Sequence, residues 1–63
     1  MKKVYVLTYN TMDKPERRMI YGVYGSKKTD EANHAEAEKN RQKLIKQMGS
    51  FLADTEIDEQ EVK

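Results

Sequence analysis

Lys3 to Tyr9 reads KVYVLTY, a run dense in β-branched and aromatic residues, and its reading decides the fold. Side chains of this kind suit a pleated surface packed against neighbours. Alternation places Val4, Val6 and Thr8 on one face of the strand and Tyr5, Leu7 and Tyr9 on the other, so both faces carry apolar groups. One helix covers only one face of a small sheet. The second face is then exposed, buried by a partner, or used for binding.

Downstream, Asn10 to Glu16 (NTMDKPE) collects Asn, Asp and the only proline, which presets its own φ and donates no ladder hydrogen bond; it reads as a hairpin loop. Arg17 to Tyr24 (RRMIYGVY) reads as a second strand. Alternation sets Met19, Tyr21 and Val23 against Arg18, Ile20, Gly22 and Tyr24, and Gly22 in mid-strand permits a bulge. Gly25 and Ser26 end it, and Ser26, Thr29 and Asp30 are all competent helix N-caps.

Asp30 to Met48 has the composition of a helix. Its acids (Asp30, Glu31, Glu36, Glu38) come early and its bases (Lys39, Arg41, Lys43, Lys46) late, as the helix dipole favours, and Gly49 is a natural stop. The expected buried stripe is Ala37, the stem of Arg41, Leu44, Ile45 and Met48, with Phe51 and Leu52 beyond. The first two turns offer only Ala32 and Ala35. That half is expected to project over the sheet edge or to pack on a second helix. Asp54 to Val62 (DTEIDEQEV), with Ile57 and Val62 as its large apolar residues, is expected to form a short, weak third strand in preference to an acidic tail.

The chain has 63 residues, 37% of them apolar and 37% charged, with no cysteine and no tryptophan. One small domain spanning 1–63 is expected, burying only about 60% of its unfolded surface, too little for a core and a deep pocket together. The absence of cysteine excludes a disulfide framework and thiolate metal sites. Stability must come from packing, and self-association would add to it. The apolar run after Lys2 and Lys3 is too short for a signal peptide, and no stretch approaches a membrane span. A soluble cytoplasmic protein, nearly complete at this length, is expected.

The net charge of +1 conceals a gradient: residues 1–28 carry +5, residues 29–49 carry zero, and residues 50–63 carry −4. This favours laying the C-terminal segment against the N-terminal one, or pairing unlike ends across an oligomer interface.

The order strand, polar loop, strand ending in GVYGS, charged helix and acidic terminal strand resembles a loose group of small β-β-α-β proteins of phages and Gram-positive bacteria. The likeness rests on Val4 to Leu7, Ile20 to Ser26 and Glu56 to Val62. It implies the fold and a viral origin, and no catalytic motif comes with it.

His34 is the only histidine, one turn before Glu38, and two ligands do not make a metal site. Asp54, Glu56, Asp58, Glu59 and Glu61 lack the glycine and spacing of a calcium loop and read as a solvated edge. A second use of that strip is mimicry, in which it competes for a protein site that normally holds nucleic acid. No serine triad or phosphate loop is present, so no catalytic, cofactor or metal residue is assigned and no enzyme is expected.

Tyrosine and methionine suit protein interfaces. Met12 with Met19 and Tyr21, or with Tyr5 and Tyr9, on the face away from the helix would make such a patch, and Arg17, Arg18 and Tyr24 complete the candidate interaction set. The expectation is an α+β protein, a β-hairpin with one helix and a weak C-terminal strand, assembled as a homodimer or higher oligomer. Its expected function is non-enzymatic protein interaction, of the kind a phage factor uses to inhibit a host defence protein. A second reading is nucleic-acid binding through tyrosines rimmed by Lys2, Lys3, Arg17, Arg18, Lys27 and Lys28. A third is a ligand pocket formed between subunits.

Overall fold

The computed structural model describes residues 2–13 and 16–62. Strand β1 (Lys2–Thr11), strand β2 (Met19–Tyr24), helix α1 (Asp30–Met48) and strand β3 (Leu52–Val62) follow in chain order, with a 3-10 turn at Gly49–Phe51 before β3. The fold is α+β, and β1 is the central strand of an antiparallel sheet ordered β2-β1-β3. The turn role expected of Pro15 lies outside the described residues. No helix is long and apolar enough to cross a membrane among them.

The segment expected to be short and weak is the longest strand. Ten residues of β3 pair with β1, from Lys2 opposite Val62 to Thr11 opposite Leu52. Charge complementarity explains how so acidic a strand is held: Lys3 Nζ lies 3.4 Å from Glu59, and Arg18 lies 2.7 Å from Asp54 and 3.8 Å from Glu56. The Thr55 hydroxyl adds a bond to the Thr8 carbonyl, 2.9 Å.

β2 begins at Met19, later than expected, and it is irregular. Leu7 faces Gly22 but Thr8 faces Ile20, which leaves Tyr21 as the extra residue of a bulge. Directly opposed residues share a face. Ile20 therefore lies with Thr8, and Val23 with Val6, on one side; Met19, Gly22 and Tyr24 lie with Tyr9, Leu7 and Tyr5 on the other. The regular alternation expected for this strand is corrected accordingly.

Helix α1 covers the Tyr5–Leu7 face, and the core is Tyr5, Leu7, Ala37 and Leu44. The Thr29 hydroxyl caps the helix by accepting from the Ala32 amide, and Gly49, at φ 56°, ends it by donating a hydrogen bond from its backbone N–H to the Ile45 carbonyl. Of the expected stripe, Ile45 is exposed, as is Phe51 beyond it. The N-terminal half reaches the end of β1 that β2 leaves unpaired, with Ala37 buried, Ala32 half-buried and Ala35 exposed. It docks through Asn33, which is fully buried. Asn33 Oδ1 accepts from the Lys27 amide at 2.8 Å and Nδ2 reaches the Lys3 carbonyl at 3.5 Å, while Asp30 Oδ1 accepts from the Lys3 amide at 2.9 Å. β2 ends its pairing at Tyr24, opposite Tyr5, so the Lys3 edge of β1 has no strand beside it. Helix side chains satisfy both of its backbone groups.

Candidate protein-interaction face

The sheet has one face without a helix. β1 contributes Val4, Val6, Thr8 and Asn10, β2 contributes Ile20 and Val23, and β3 contributes Asp54, Glu56, Asp58, Gln60 and Val62. Rows run straight across it: Val23, Val6 and Asp58 in one, and Ile20, Thr8 and Glu56 in the next. The surface is apolar along β2 and the middle of β1 and acidic along β3. Ile20 is 67% exposed and Val23 60% exposed, so this apolar half is open to solvent.

The bulge creates the patch, because without the extra residue at Tyr21 the ladder would send Ile20 and Val23 to opposite faces. Gly25 borders it. A Cβ there would overlap Val4 Cγ1, so the chain leaving β2 lies flat against the face only with glycine. Arg18 closes one end. Its guanidinium donates to Thr8 Oγ1 at 3.0 Å and to Asp54 Oδ2 at 2.7 Å, spanning from β1 to β3. That bond from Arg18 is the main reason the Asp54 carboxyl is held below its ordinary pKa.

Of the residues singled out in the sequence, Arg17 and Arg18 are exposed just before β2, and Tyr21 is exposed on the bulge. Tyr21 meets Tyr9 edge to face with ring centroids 6.1 Å apart. Tyr5, Tyr9 and Met19 lie on the helix side, contrary to their expected place on the far face. Tyr5 is only 6% exposed. It donates to Glu59 at 3.1 Å and packs edge-on against His34 at 5.0 Å; burial, then the Glu59 bond, raises its pKa. Tyr24 is half-buried over Gly22, and burial raises its pKa as well. Met12 is exposed at the opposite tip beside Phe51, whose carbonyl accepts from the Met12 amide at 2.8 Å.

Ile20 and Val23 are therefore the exposed apolar residues that the pattern of alternation missed as a pair. The available signal was Gly22, which marks a possible bulge without fixing which residue is extra. His34 lines a shallow cleft of about 360 Å³ with Glu38, Arg41, Thr55, Glu56 and Ile57. Among the described residues no group of three His, Asp or Glu side chains is placed to hold a metal ion. Lys2, Lys27 and Lys28 border a second hollow at the start of α1, with Ser26, Thr29 and Asp30.

No protein-family model matches the chain, and neither a curated protein nor a solved structure matches it.

Proposed function

We propose that this chain is a non-enzymatic protein-binding module, working as a homo-oligomer, whose contact surface is the helix-free face of its sheet. The observation that supports this reading is the juxtaposition of Ile20 and Val23, both largely exposed, beside an acidic strand on the same flat surface. Contiguous exposed apolar surface rimmed by charge is characteristic of protein contact sites. A factor of this size acts by occupying a surface on a larger protein, and the target class that suits it is a host protein inhibited by a phage product. The nucleic-acid reading has less support, since of the four tyrosines only Tyr21 is exposed and its ring meets that of Tyr9 edge to face.

The test compares the native chain with an Ile20→Lys, Val23→Lys double variant. Mass in solution by light scattering and proteins captured from bacterial lysate are measured for both. The reading expects the variant to keep its circular dichroism spectrum and to lose either self-association or a captured partner. Unchanged mass and unchanged capture would overturn it.

A further inference from the structure

The two edges of the sheet are unlike in build. β2 runs for six residues and is broken by the bulge at Tyr21, and shortness and a bulge both blunt an edge against further pairing. β3 runs for eleven residues and keeps an unbroken register with β1 from Asp54 to Val62. The Thr8 carbonyl accepts from the Thr55 hydroxyl at 2.9 Å and so points at β3, and Thr8 stands opposite Glu56. In an antiparallel pair the N–H and C=O of one residue point the same way, and that direction alternates along the strand. Asp54, Glu56, Asp58 and Gln60 therefore bond to β1, whereas Thr55, Ile57, Glu59 and Glu61 turn both groups outward. The Thr55 N–H serves the Asp54 carboxyl. Among the described residues, the outward groups of Ile57, Glu59 and Glu61 meet no other backbone.

We infer that this edge takes an extended, basic segment of another protein as a fourth strand. In strand addition the backbone supplies the rungs and the side chains set the partner's chemistry. β3 carries five carboxylates and no basic residue. Lys3 pairs with Glu59, and Arg18 with Asp54 and Glu56, but Asp58 and Glu61 have no ion-pair partner among the described residues. A second β3 is disfavoured as the added strand, since like charges directly opposite one another are destabilising. A segment with Lys or Arg at alternate positions instead sets its cations beside Glu56 and Asp58. Its intervening residues fall on the helix side, beside Ile57 and Glu59. There the shallow cleft of about 360 Å³ between α1 and β3, walled by His34, Glu38 and Arg41 and floored by Thr55 and Ile57, receives one of them. A β-branched residue suits that place, against the Ile57 side chain. The contact uses neither Ile20 nor Val23, so it is separate from the open face.

The probe is a peptide of alternating lysine and threonine, titrated into the native chain, with a peptide of alternating glutamate and threonine as its control. Amide hydrogen exchange is followed residue by residue by NMR. At about ten times its Kd the lysine peptide is expected to slow exchange at Ile57, Glu59 and Glu61 about tenfold, by mass action. The amides of β2 are expected to be unaffected, and the glutamate peptide to protect nothing. Absence of binding would overturn the inference. Binding that leaves those three amides unprotected would overturn it too, as charge attraction without a new strand. Equal protection by both peptides would overturn the basic chemistry of the partner. The Ile20→Lys, Val23→Lys variant is expected to show the same three protected amides, which tells failure of this edge from failure of the open-face reading; loss of protection in that variant would place the contact on the open face and overturn the assignment to the β3 edge.

Discussion

The two faces of this sheet start from nearly the same apolar content on β1 and end in opposite states. Tyr5 and Leu7 on one side are buried under α1 with Ala37 and Leu44. Val4 and Val6 on the other have no helix over them and share their face with exposed Ile20 and Val23. The neighbours explain the difference. On the covered side β3 offers Ile57 and Thr55 opposite Leu7 and Tyr9, whereas on the open side it offers Asp58 and Glu56 opposite Val6 and Thr8. Two apolar residues in a row beneath a helix bury well; carboxylates there would lose hydration without a partner. The covered face carries acids of β3 too, Glu59 opposite Tyr5 and Glu61 opposite Lys3, but Glu59 is bonded there by the Tyr5 hydroxyl and Lys3.

The largest effect that separates the faces is truncation. Leu7→Ala, at a fully buried position, is expected to cost about 2–5 kcal/mol. Val23→Ala is expected to stay within about 0.5 kcal/mol in the monomer. Urea denaturation at low protein concentration measures both. Equal costs would mean that the two faces are not differently packed.

Next is the polar anchor under α1. Asn33→Ala strands the Lys27 amide and removes the contact with the Lys3 carbonyl, and is expected to cost about 1–3 kcal/mol. An unchanged urea midpoint would show that the helix is held by Ala37 and Leu44 alone. Glycine substitutions sharpen the same contrast. Gly25→Ala forces a Cβ into Val4 on the open face and is expected to cost about 1–3 kcal/mol. Gly22→Ala meets only the ring end of Tyr24 on the covered face, which can move, and is expected to cost less.

How much of this was legible follows from the residues. The helix limits were readable because Thr29, Asp30 and Gly49 are strong local signals. The faces of β1 were readable because their alternation is unbroken. β3 was underestimated because it has few large apolar groups; its pairing draws on Lys3 and Arg18, which lie far away in sequence. Asn33 was missed because a polar residue inside a charged helix looks solvated, and only the end of β2 at Tyr24 reveals the orphaned backbone it serves. The patch was missed because a bulge shifts every later side chain to the opposite face, and a glycine alone does not say where.

The smallest effects are those of pH, and each limb reads one face. Arg18 holds the Asp54 pKa below its ordinary 3.8, so the stability it contributes on the open face is present above that value and is lost as pH falls through the lower folded value. On the covered face Glu59 raises Lys3 above 10.5, and burial raises Tyr5 above 10.0. Their contribution is complete below about pH 10 and is lost as pH rises through the raised values. Arg18→Gln is expected to flatten the acid limb alone, and Glu59→Gln the alkaline limb. Urea midpoints across pH check this; a change in the wrong limb would contradict the assignment.

The most direct measurement is the mass of the native chain and of Val23→Lys by size-exclusion chromatography with light scattering over a hundredfold concentration range. The account predicts twice 7.4 kDa for the native chain and 7.4 kDa for the variant, with circular dichroism unchanged. The same mass for both, whether single or double, would contradict the claim that the open face is where this protein meets its second copy.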